Sequence, residues 1–534
     1  MSINYVQKAK DQLAQIVADA YGGELPVVPH TEIPKERAHG DFSTSFAMQA
    51  AKLLKQNPRA IGQAMLDKID LAGSYFASAE MLGAGFINVR LNDSWYSDVL
   101  NNCQLSTVDC QLSKVMVEFV SANPTGPMTI GNARGGVLGD ALASVLEQAG
   151  FEVWREFYLN DAGNQVDNFG KSLKARYEQL FDESIAFPED GYHGDDVKEL
   201  AKLYFEQHGK VDVSAEEFAA WALPLNVERM RRDLERYGVS FDNWFAESAL
   251  HASGAVADTL AFLTERGYTY EKDGAVWLKT SEFGCEKDDV LRKSNGFYTY
   301  FAVDIAYHRD KFARGFDTCI NIWGADHHGH VARLKAAVKA LGLEPERLVV
   351  VLMQFVNLVR DGEVVKISKR TGKTITLSDL LDEIPRDAAR FFFNNRSSDS
   401  KLDFDMELAA RQDSENPVYY VQYAHARIVS MLKLLDCEPE PNAELLTHET
   451  ERALIRQLAQ YPEVIRVAAK ELEPSGVNVY LIELAGGFHR FYNAVRLKGS
   501  EPDVLAARAA LCAAVRGTLA RGLKLLGIDA PDNM

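Results

Sequence analysis

The sequence predicts a multidomain α/β protein. A parallel sheet interrupted by a long insertion lies between an N-terminal α+β domain and a C-terminal all-α helical bundle. Three observations support this class. The chain has 534 residues, which corresponds to three to four domains at roughly 150 residues each. Strand-like apolar runs flank a Gly-rich turn and a helix in the middle of the chain. After about residue 405 the apolar residues recur almost entirely at helical spacing.

Composition excludes several classes of protein. The chain is 47% hydrophobic and 25% charged, with a net charge of −18, so it is neither disordered nor of low complexity. Its acidity argues against a general nucleic-acid coat but not against an enzyme with local basic patches. No apolar run approaches the 18 or so residues of a membrane span. Charged residues interrupt any signal-peptide core near the start, namely Lys8, Lys10, Asp11 and Asp19.

The cysteines indicate a reducing compartment. The six cysteines are scattered and form neither a CxxC pair nor a zinc spacing, so we expect free thiols and a cytoplasmic protein. They are Cys103, Cys110, Cys285, Cys319, Cys437 and Cys512.

Residues 1–108 are predicted to form the N-terminal α+β domain. An amphipathic helix ends at Gly22 and Gly23, and a second helical stretch follows between about residues 42 and 69. The segment GAGFINVRL then alternates as a strand does, with Phe86 and Asn88 on one face.

Residues 109–404 are predicted to form the domain with the parallel sheet. KVMVEFV (114–120) is apolar almost throughout, SANPTGP cannot be regular structure, and a helix then runs to Gly150 before the strand FEVWREFYL. Strand, turn, helix and strand make a βαβ unit. An insertion at about 165–290 looks mostly helical, with AVWLK as its one strand candidate. NIWGAD (321–326) and LVVVLMQFV (348–356) then resume the strand pattern.

Residues 405–534 are predicted to be all helical. Helices are expected at 418–435, 449–472, 476–497 and 502–526.

The turn at 121–132 has two readings. Gly126 and Gly131 would let a ligand approach the backbone, and a helix starting near Thr129 would point N–H groups at a phosphate. Alternatively, Thr129 is only a helix N-cap.

The segment 366–373 is strongly basic. It contains Lys366, Lys369, Arg370 and Lys373 and no acid. A mobile cationic loop suits a leaving pyrophosphate, but a solvated basic loop is the ordinary alternative.

The histidines of GADHHGH (324–330) follow a strand. A zinc site is disfavoured because His327 and His328 are neighbours whose side chains diverge. A nucleotide contact at the carboxyl end of a parallel strand is favoured instead.

Taken together, seven segments resemble the bacterial arginyl-tRNA synthetases, a family of class I aminoacyl-tRNA synthetases. The resemblance extends from GDFSTSFAMQAAK at residue 40 to the last methionine. Each segment alone is only weakly specific for the family, but their order and intervals together are highly specific. The segments are SANPTGPMTIGNARGG, YLNDAGNQ, DIAYHRDKF, WGADHHGH, KISKRTG, RDAARFFF and NPVYYVQYAHAR.

This resemblance implies a Rossmann-like catalytic sheet and a set of site residues. TIGN (129–132) stands where the class carries HIGH, and KISK (366–369) where it carries KMSK. The implied catalytic residues are Lys366, Lys369, Thr129 and Asn132. The implied ATP-binding residues are Thr129, Gly131, Asn132, Gly324, Asp326, His327, Lys366, Ser368 and Lys369. The implied arginine-binding residues are Glu118, Ser121, Asn123, Tyr300, Asp304 and Gln354.

In this interpretation, one of Glu118 and Asp304 binds the guanidinium and the other binds the α-amino group, in an order that the sequence leaves open. Acidic partners suit a guanidinium because it is planar and carries several donors and no acceptor. The alternative for Glu118 is an outward-facing strand residue.

The resemblance also implies partners. It implies ATP with Mg²⁺ but no zinc, and as partners L-arginine and tRNA(Arg), with no membrane and a monomeric state. The N-terminal domain would contact the tRNA elbow and the helical domain the anticodon. The implied tRNA-binding residues are Phe86, Asn88, Tyr423, Arg427 and Arg496; core packing is the alternative for Phe86.

Thr129 and Asn132 depart from the signature, in which both positions are histidine. Three functions therefore stay open: a working synthetase, a tRNA-binding paralogue with weakened adenylation, and a nucleotide-binding protein that does not bind tRNA. Intact Lys366, Ser368 and Lys369 favour the first.

Overall fold

The first part of the chain is an α+β unit on a four-stranded antiparallel sheet. The computed structural model describes residues 4–103, 113–365, 375–435 and 437–534. The elements of the first part are α1 (Tyr5–Tyr21), β1 (Thr31–Glu32), β2 (Phe42–Thr44), α2 (Phe46–Leu54), α3 (Pro58–Leu66), β3 (Phe76–Leu82), β4 (Phe86–Leu91) and α4 (Asp93–Asn102). The strand order is β1-β2-β4-β3.

The helical stretch expected between about residues 42 and 69 is confirmed except at its start, which is a strand. Phe42–Thr44 pairs with β4 as a strand, and two helices follow it. The break lies at Pro58, which occupies the first turn of α3, while the Asn57 side chain accepts a hydrogen bond from the Arg59 N–H at 2.9 Å. Asn followed by Pro is a helix-start signal, so the sequence did carry this boundary.

The middle of the chain contains a five-stranded parallel sheet and two smaller sheets. The elements before the insertion's end are β5 (Lys114–Glu118), α5 (Ile130–Gln148), β6 (Glu152–Leu159), α6 (Asn164–Glu178), α7 (Asp195–His208), α8 (Ala215–Tyr237), β7 (Asn243–Ala246), α9 (Glu247–Ala252), α10 (Ala255–Glu265), β8 (Thr269–Lys272), β9 (Ala275–Leu278) and β10 (Asp289–Arg292). The elements after it are α11 (Tyr300–Ala313), β11 (Thr318–Gly324), α12 (His328–Ala340), β12 (Leu348–Met353), β13 (Val356–Arg360), β14 (Glu363–Val365), α13 (Leu377–Glu383), α14 (Arg386–Phe393), β15 (Leu402–Asp405) and α15 (Met406–Ala410).

The parallel sheet has the order β12-β11-β5-β6-β7. From the central strand β5 the chain moves to β6 and β7, and it then crosses to β11 and β12 on the other side. The strand order therefore reverses between β5 and β11. In open α/β sheets, ligands bind in the crevice that such a reversal leaves at the carboxyl ends of the strands.

The insertion is less helical than expected, because it contains four strands rather than one. β7 joins the parallel sheet, while β8, β9 and β10 form a three-stranded antiparallel sheet. The β8–β9 hairpin turns at Asp273 and Gly274, both with positive φ (52° and 75°). Asp-Gly is a strong signal for such a hairpin, and the sequence analysis overlooked it.

The last part of the chain is helical, as predicted. Its four long helices are α16 (Pro417–Leu434), α17 (Glu449–Lys470), α18 (Ser475–Ala494) and α19 (Pro502–Leu525). Within the described ranges, no helix combines the length and the apolar character that a membrane crossing requires.

One buried guanidinium joins this helical part to the parallel-sheet domain. Arg390 of α14 is completely buried. Its Nε donates to the Leu526 carbonyl (2.9 Å), one terminal nitrogen donates to the carbonyls of Tyr237 and Gly238 (3.1 and 2.9 Å), and the other pairs with Asp140 of α5. Every segment around Arg390 thus supplies an acceptor.

Replacing Arg390 should destabilise the whole protein. Arg390→Met removes the buried donor of three carbonyls and leaves the Asp140 carboxylate only its longer contact with Arg155 Nε (3.6 Å), so the free energy of unfolding should fall by roughly 3–5 kcal/mol. The control is Arg411→Met, since the ion pair of Arg411 with Glu415 is exposed and should contribute less than about 1 kcal/mol. Urea unfolding measures both; equal losses would contradict the role given to Arg390.

Candidate active site

A cleft of about 750 Å³ lies at the reversal point of the parallel sheet. It is bounded by the loop after β5, the first turn of α5, the ends of β11 and β12 and the segment before α7. Nine of the predicted arginine- and ATP-binding residues line it: Ser121, Asn123, Thr129, Gly131, Asn132, Gly324, Asp326, His327 and Gln354. Residues that lie up to about 230 positions apart in the sequence thus line one cavity.

The loop after β5 has a strained backbone. Val120 and Ser121 both have positive φ (66° and 41°), which is unusual for residues other than glycine and most of all for a β-branched one. Two hydrogen bonds hold Ser121 there, because its Oγ donates to Glu118 Oε1 (3.0 Å) and accepts from the Tyr158 N–H (3.1 Å). Strain of this kind concentrates at functional sites.

Thr129 is the N-cap of α5. Its Oγ1 accepts from the Asn132 N–H (3.4 Å), and its own N–H donates to Asn132 Oδ1 (2.9 Å), which completes a capping box. The capping interpretation of Thr129 is therefore confirmed. Phosphate binding at this helix terminus stays a prediction. Gly131 supports that prediction. An added Cβ at Gly131 would make only an ordinary contact with Thr129, so packing alone does not require glycine there.

The chain that follows the basic segment is attached beside this cap. Thr376 forms an antiparallel bridge with Thr129, and the Leu377 N–H donates to the Met128 carbonyl at 2.9 Å. The predicted residues Lys366, Ser368 and Lys369 lie outside the described residues.

Glu118 is buried, but another residue of the protein already neutralises it. Its carboxylate pairs with Lys311, whose side chain is completely buried and also donates to Asn321 Oδ1 at 2.8 Å. Glu118 is thus not the outward-facing residue considered above. Sequence analysis missed Lys311, because DIAYHRDKF contains several charged residues and its sequence does not show which of them is buried. The contact of Glu118 with substrate stays a prediction.

Asp304, in contrast, contacts a histidine and, within the described ranges, no lysine or arginine. Its Oδ2 lies 2.7 Å from His330 Nε2, and His330 Nδ1 lies 2.5 Å from the Arg333 Nε. Because the Arg333 Nε–H can only donate, His330 Nδ1 accepts and Nε2 is the ring nitrogen that donates to Asp304. His330 therefore orients the carboxylate of Asp304.

The other histidines of GADHHGH do not converge. His327 lies 3.7 Å from Asp326, and both side chains are exposed. Among the described residues, no group of three or more His, Cys, Asp or Glu side chains is arranged to hold a metal ion.

The predicted tRNA contacts differ in accessibility. Phe86 is half-buried, whereas Asn88 is only 3% exposed because it lies in β4 between two paired strands. Asn88 therefore offers little surface for direct contact, and its assignment to tRNA binding stays a prediction.

On the helical part, the predicted residues Tyr423 and Arg427 lie together, with the Arg427 guanidinium 5.9 Å from the centre of the Tyr423 ring. Tyr423 is 40% exposed and stacks on Tyr419 and His489, with ring centroids 6.4 and 6.2 Å apart. Arg427 packs over the Tyr492 ring at 4.1 Å, and Arg496 is exposed. His425, in the same segment NPVYYVQYAHAR, is buried, with its Nδ1 2.9 Å from the Pro531 carbonyl.

Comparison with known proteins assigns the class first. The family model "tRNA synthetases class I (R), catalytic domain" matches residues 97–414. "Arginyl tRNA synthetase N terminal domain" matches 7–91, and "DALR anticodon binding domain" matches 421–534. The fold and the cleft are thus those of a class I aminoacyl-tRNA synthetase.

Relatives narrow this class to a family. An arginine–tRNA ligase from Acetivibrio thermocellus is 49% identical over 99% of this chain and 100% of its own. One from Ruminiclostridium cellulolyticum is 50% identical over 96% and 95%. The Thermus thermophilus arginyl-tRNA synthetase structure has the same fold, with a TM-score of 0.77 at 23% identity, covering 98% of this chain and 100% of that one. The chain belongs to the arginyl-tRNA synthetase family.

Loss of the Thr129 cap should measurably lower the free energy of unfolding. Thr129→Ala removes the side-chain acceptor at the start of α5, so the free energy of unfolding should fall by about 1 kcal/mol, while Thr129→Ser should restore it. Ser214→Ala is the matched control, because Ser214 caps α8 with the same kind of box. If urea unfolding shows a loss for Ser214→Ala but none for Thr129→Ala, Thr129 does not stabilise its helix.

Proposed function

We propose that this protein attaches L-arginine to its cognate tRNA in two ATP-dependent steps. The observation that carries the proposal is that N-terminal, catalytic and anticodon-binding regions all match within one chain that is 49–50% identical to arginine–tRNA ligases over almost its full length. In the first step, the arginine carboxylate attacks the α-phosphorus of ATP and pyrophosphate leaves. In the second, a hydroxyl of the terminal tRNA ribose takes the arginyl group and AMP leaves.

The cleft offers a place for each part of the first step. We assign the phosphates to the first turn of α5, at Thr129, Gly131 and Asn132, because helix N-termini favour anions. We assign the nucleoside to Gly324, Asp326 and His327 at the end of β11. Lys366 and Lys369 would neutralise the leaving pyrophosphate with Ser368 beside them, and Mg²⁺ would accompany ATP as its counter-ion.

Arginine would lie beside the nucleotide. Asp304 supplies a negative charge, and Tyr300, half-exposed at the start of α11, is free to contact a ligand. Ser121, Asn123 and Gln354 line the cleft itself.

The two alternatives are not supported. A diverged paralogue would not be expected to keep 49–50% identity with arginine–tRNA ligases over its whole length. A protein that binds only nucleotide would have no use for the anticodon-binding and N-terminal regions.

We also propose where the protein binds tRNA, its oligomeric state and its location in the cell. We propose tRNA contacts at Phe86, Tyr423, Arg427 and Arg496, a monomeric state and a cytoplasmic location. The location is supported by the five described cysteines, all of which are free thiols.

Activation should be specific for arginine. An exchange assay between ATP and labelled pyrophosphate, run with each of the twenty amino acids and with saturating tRNA, should respond to arginine far more than to lysine. The reason is that a pocket with carboxylates matches the planar guanidinium of arginine better than the compact ammonium group of lysine. A larger response to lysine or glutamine would refute the pocket assignment.

Binding of tRNA should depend steeply on salt. Each phosphate contact releases counter-ions, so replacing exposed Arg496 and Lys498 together with alanine should reduce the log–log salt slope by about 2 and leave pyrophosphate exchange at saturating tRNA unchanged. Arg466→Ala with Lys470→Ala is the control pair, because these side chains already face Glu463 and Glu471. A wild-type slope near zero would mean that tRNA is not held electrostatically.

A further inference from the structure

The corner between α17 and α18 brings a carboxylate to the outer side of the cleft wall. Glu473 lies in this corner (471–474), within the region that matches the anticodon-binding family model. Its Oε2 accepts a hydrogen bond from the Ser398 N–H at 2.7 Å, although the two residues are 75 positions apart. A carboxylate acceptor makes this a charge-assisted bond, which is stronger than a bond between neutral groups. The sequence analysis did not select Glu473.

Ser398 belongs to the segment between α14 and β15 (394–401), which runs beside the cleft residue Gln354. The Ser398 carbonyl accepts from the Gln354 N–H at 2.9 Å. On the other side, the Gln354 carbonyl accepts from the Arg134 guanidinium at 2.7 Å. Both backbone polar groups of Gln354 are thus held, and its side chain lines the cleft. The Ser398 peptide is therefore bonded to Glu473 on one side and to the cleft wall on the other.

The buried guanidinium of Arg134 gives Glu473 a second task. Arg134 is only 1% exposed, and within the described residues it donates to the carbonyls of Gln354 and Ser397 (2.7 and 2.9 Å) and not to a carboxylate. Burial lowers the pKa of Arg134, and the negative charges of Glu473 and then Asp399 oppose this shift. Solvent screens the exposed Asp399 more than the half-buried Glu473. Glu473 is therefore the better placed of the two to balance the charge of Arg134.

The start of α18 is joined to α14 by a separate pair of amides. Asn478 Nδ2 donates to the Phe391 carbonyl (3.0 Å), and Asn394 Nδ2 donates to Asn478 Oδ1 (2.8 Å). Both amide side chains are buried. These bonds attach the end of α14 and do not involve Ser398 or Gln354. They therefore offer a structural comparison for Glu473 at the same junction.

We propose that Glu473 is a positioning residue for the activation of arginine, because its bond to Ser398 holds Gln354 in place in the cleft. This inference rests on the proposed function. Glu473 would not touch substrate and would act through Ser398 and Gln354. A residue of the predicted anticodon-binding region would thus help to build the site at which arginine is activated.

The kinetic test uses pyrophosphate exchange by the full chain with saturating tRNA. Glu473→Ala should raise the arginine KM roughly 3- to 30-fold, the range expected when a contact network is altered at a residue that does not touch the ligand. The ATP KM and kcat should stay within about twofold. Glu473→Gln keeps a carbonyl acceptor for the Ser398 N–H but loses the charge, so its arginine KM should lie between those of the wild type and Glu473→Ala. If Glu473→Ala does not fold, Glu473→Gln is the variant tested.

Two control variants separate positioning from general stability. Glu471→Ala removes an exposed carboxylate of the same corner, whose partner is Lys470 at 3.3 Å, and it should leave the arginine KM unchanged. Asn478→Ala removes the buried amide between α18 and α14, so it should lower the midpoint of urea unfolding while the arginine KM of the folded enzyme stays unchanged.

A double-mutant cycle tests the route through Gln354. If Glu473 acts by placing the Gln354 side chain, Glu473→Ala should raise the arginine KM much less in a Gln354→Ala background than in the wild type. Equal effects in the two backgrounds would mean that Glu473 does not act through Gln354.

The outcomes separate this inference from the proposed function. If the wild type shows no arginine-dependent exchange, the proposed function fails. If the wild type is active, the assignment of Glu473 is overturned by an unchanged arginine KM in Glu473→Ala, by an equal rise of that KM in Asn478→Ala, or by additive effects in the cycle with Gln354→Ala.

Discussion

The attachment of helix α5 is the constraint on which the rest of the structure depends. Its first turn forms one wall of the cleft, and its body crosses the sheet so closely that a Cβ at Gly139 would lie 2.1 Å from the Phe119 ring. Only glycine permits that approach. Two buried guanidinium groups then fix the helix laterally. Arg134 donates to the carbonyls of Gln354 and Ser397 (2.7 and 2.9 Å), and Asp140 receives Arg390.

These two attachments give the cleft its dimensions. Arg134 ties the helix that starts at the phosphate turn to the loop that carries Gln354, so the two walls cannot separate independently. The same loop is connected to the helical part, because the Gln354 N–H donates to the Ser398 carbonyl (2.9 Å) and the Ser398 N–H donates to Glu473 Oε2 (2.7 Å). The walls of the cleft and the predicted anticodon-binding region are therefore parts of one hydrogen-bonded framework.

Sequence alone predicts those parts of this arrangement that depend on local pattern. The four long C-terminal helices lie within three residues of the expected bounds, because an amphipathic helix records its buried face in consecutive residues. The βαβ unit around β5 was equally predictable from the sequence. By contrast, β7 has four residues and no alternation, and it is a strand only because β6 lies beside it.

The site shows the same division between local and distant information. The cleft-lining residues were found through motifs that lie on the strand ends and the helix start. The ion pairing of the candidate site was not, since it depends on residues far apart in the chain, such as Lys311 and Glu118, 193 positions apart. A motif tells which carboxylates are present, but the tertiary structure decides which of them remain charged toward a ligand.

The cluster around Arg390 also sets an order for the folding of the chain. Its acceptors span from Asp140, 250 positions before Arg390, to Leu526, 136 positions after it. Gly527, in the left-handed region at φ 68°, makes room for the guanidinium, since a Cβ there would lie 2.1 Å from it. As a chain is synthesised, earlier segments generally fold first, but here the sheet domain retains an incompletely bonded arginine until residues 526–527 arrive. The two residues that directly follow α19 thus complete the hydrogen bonds of Arg390 last, and helix α5 gains this attachment through Asp140 only after residue 526 has emerged.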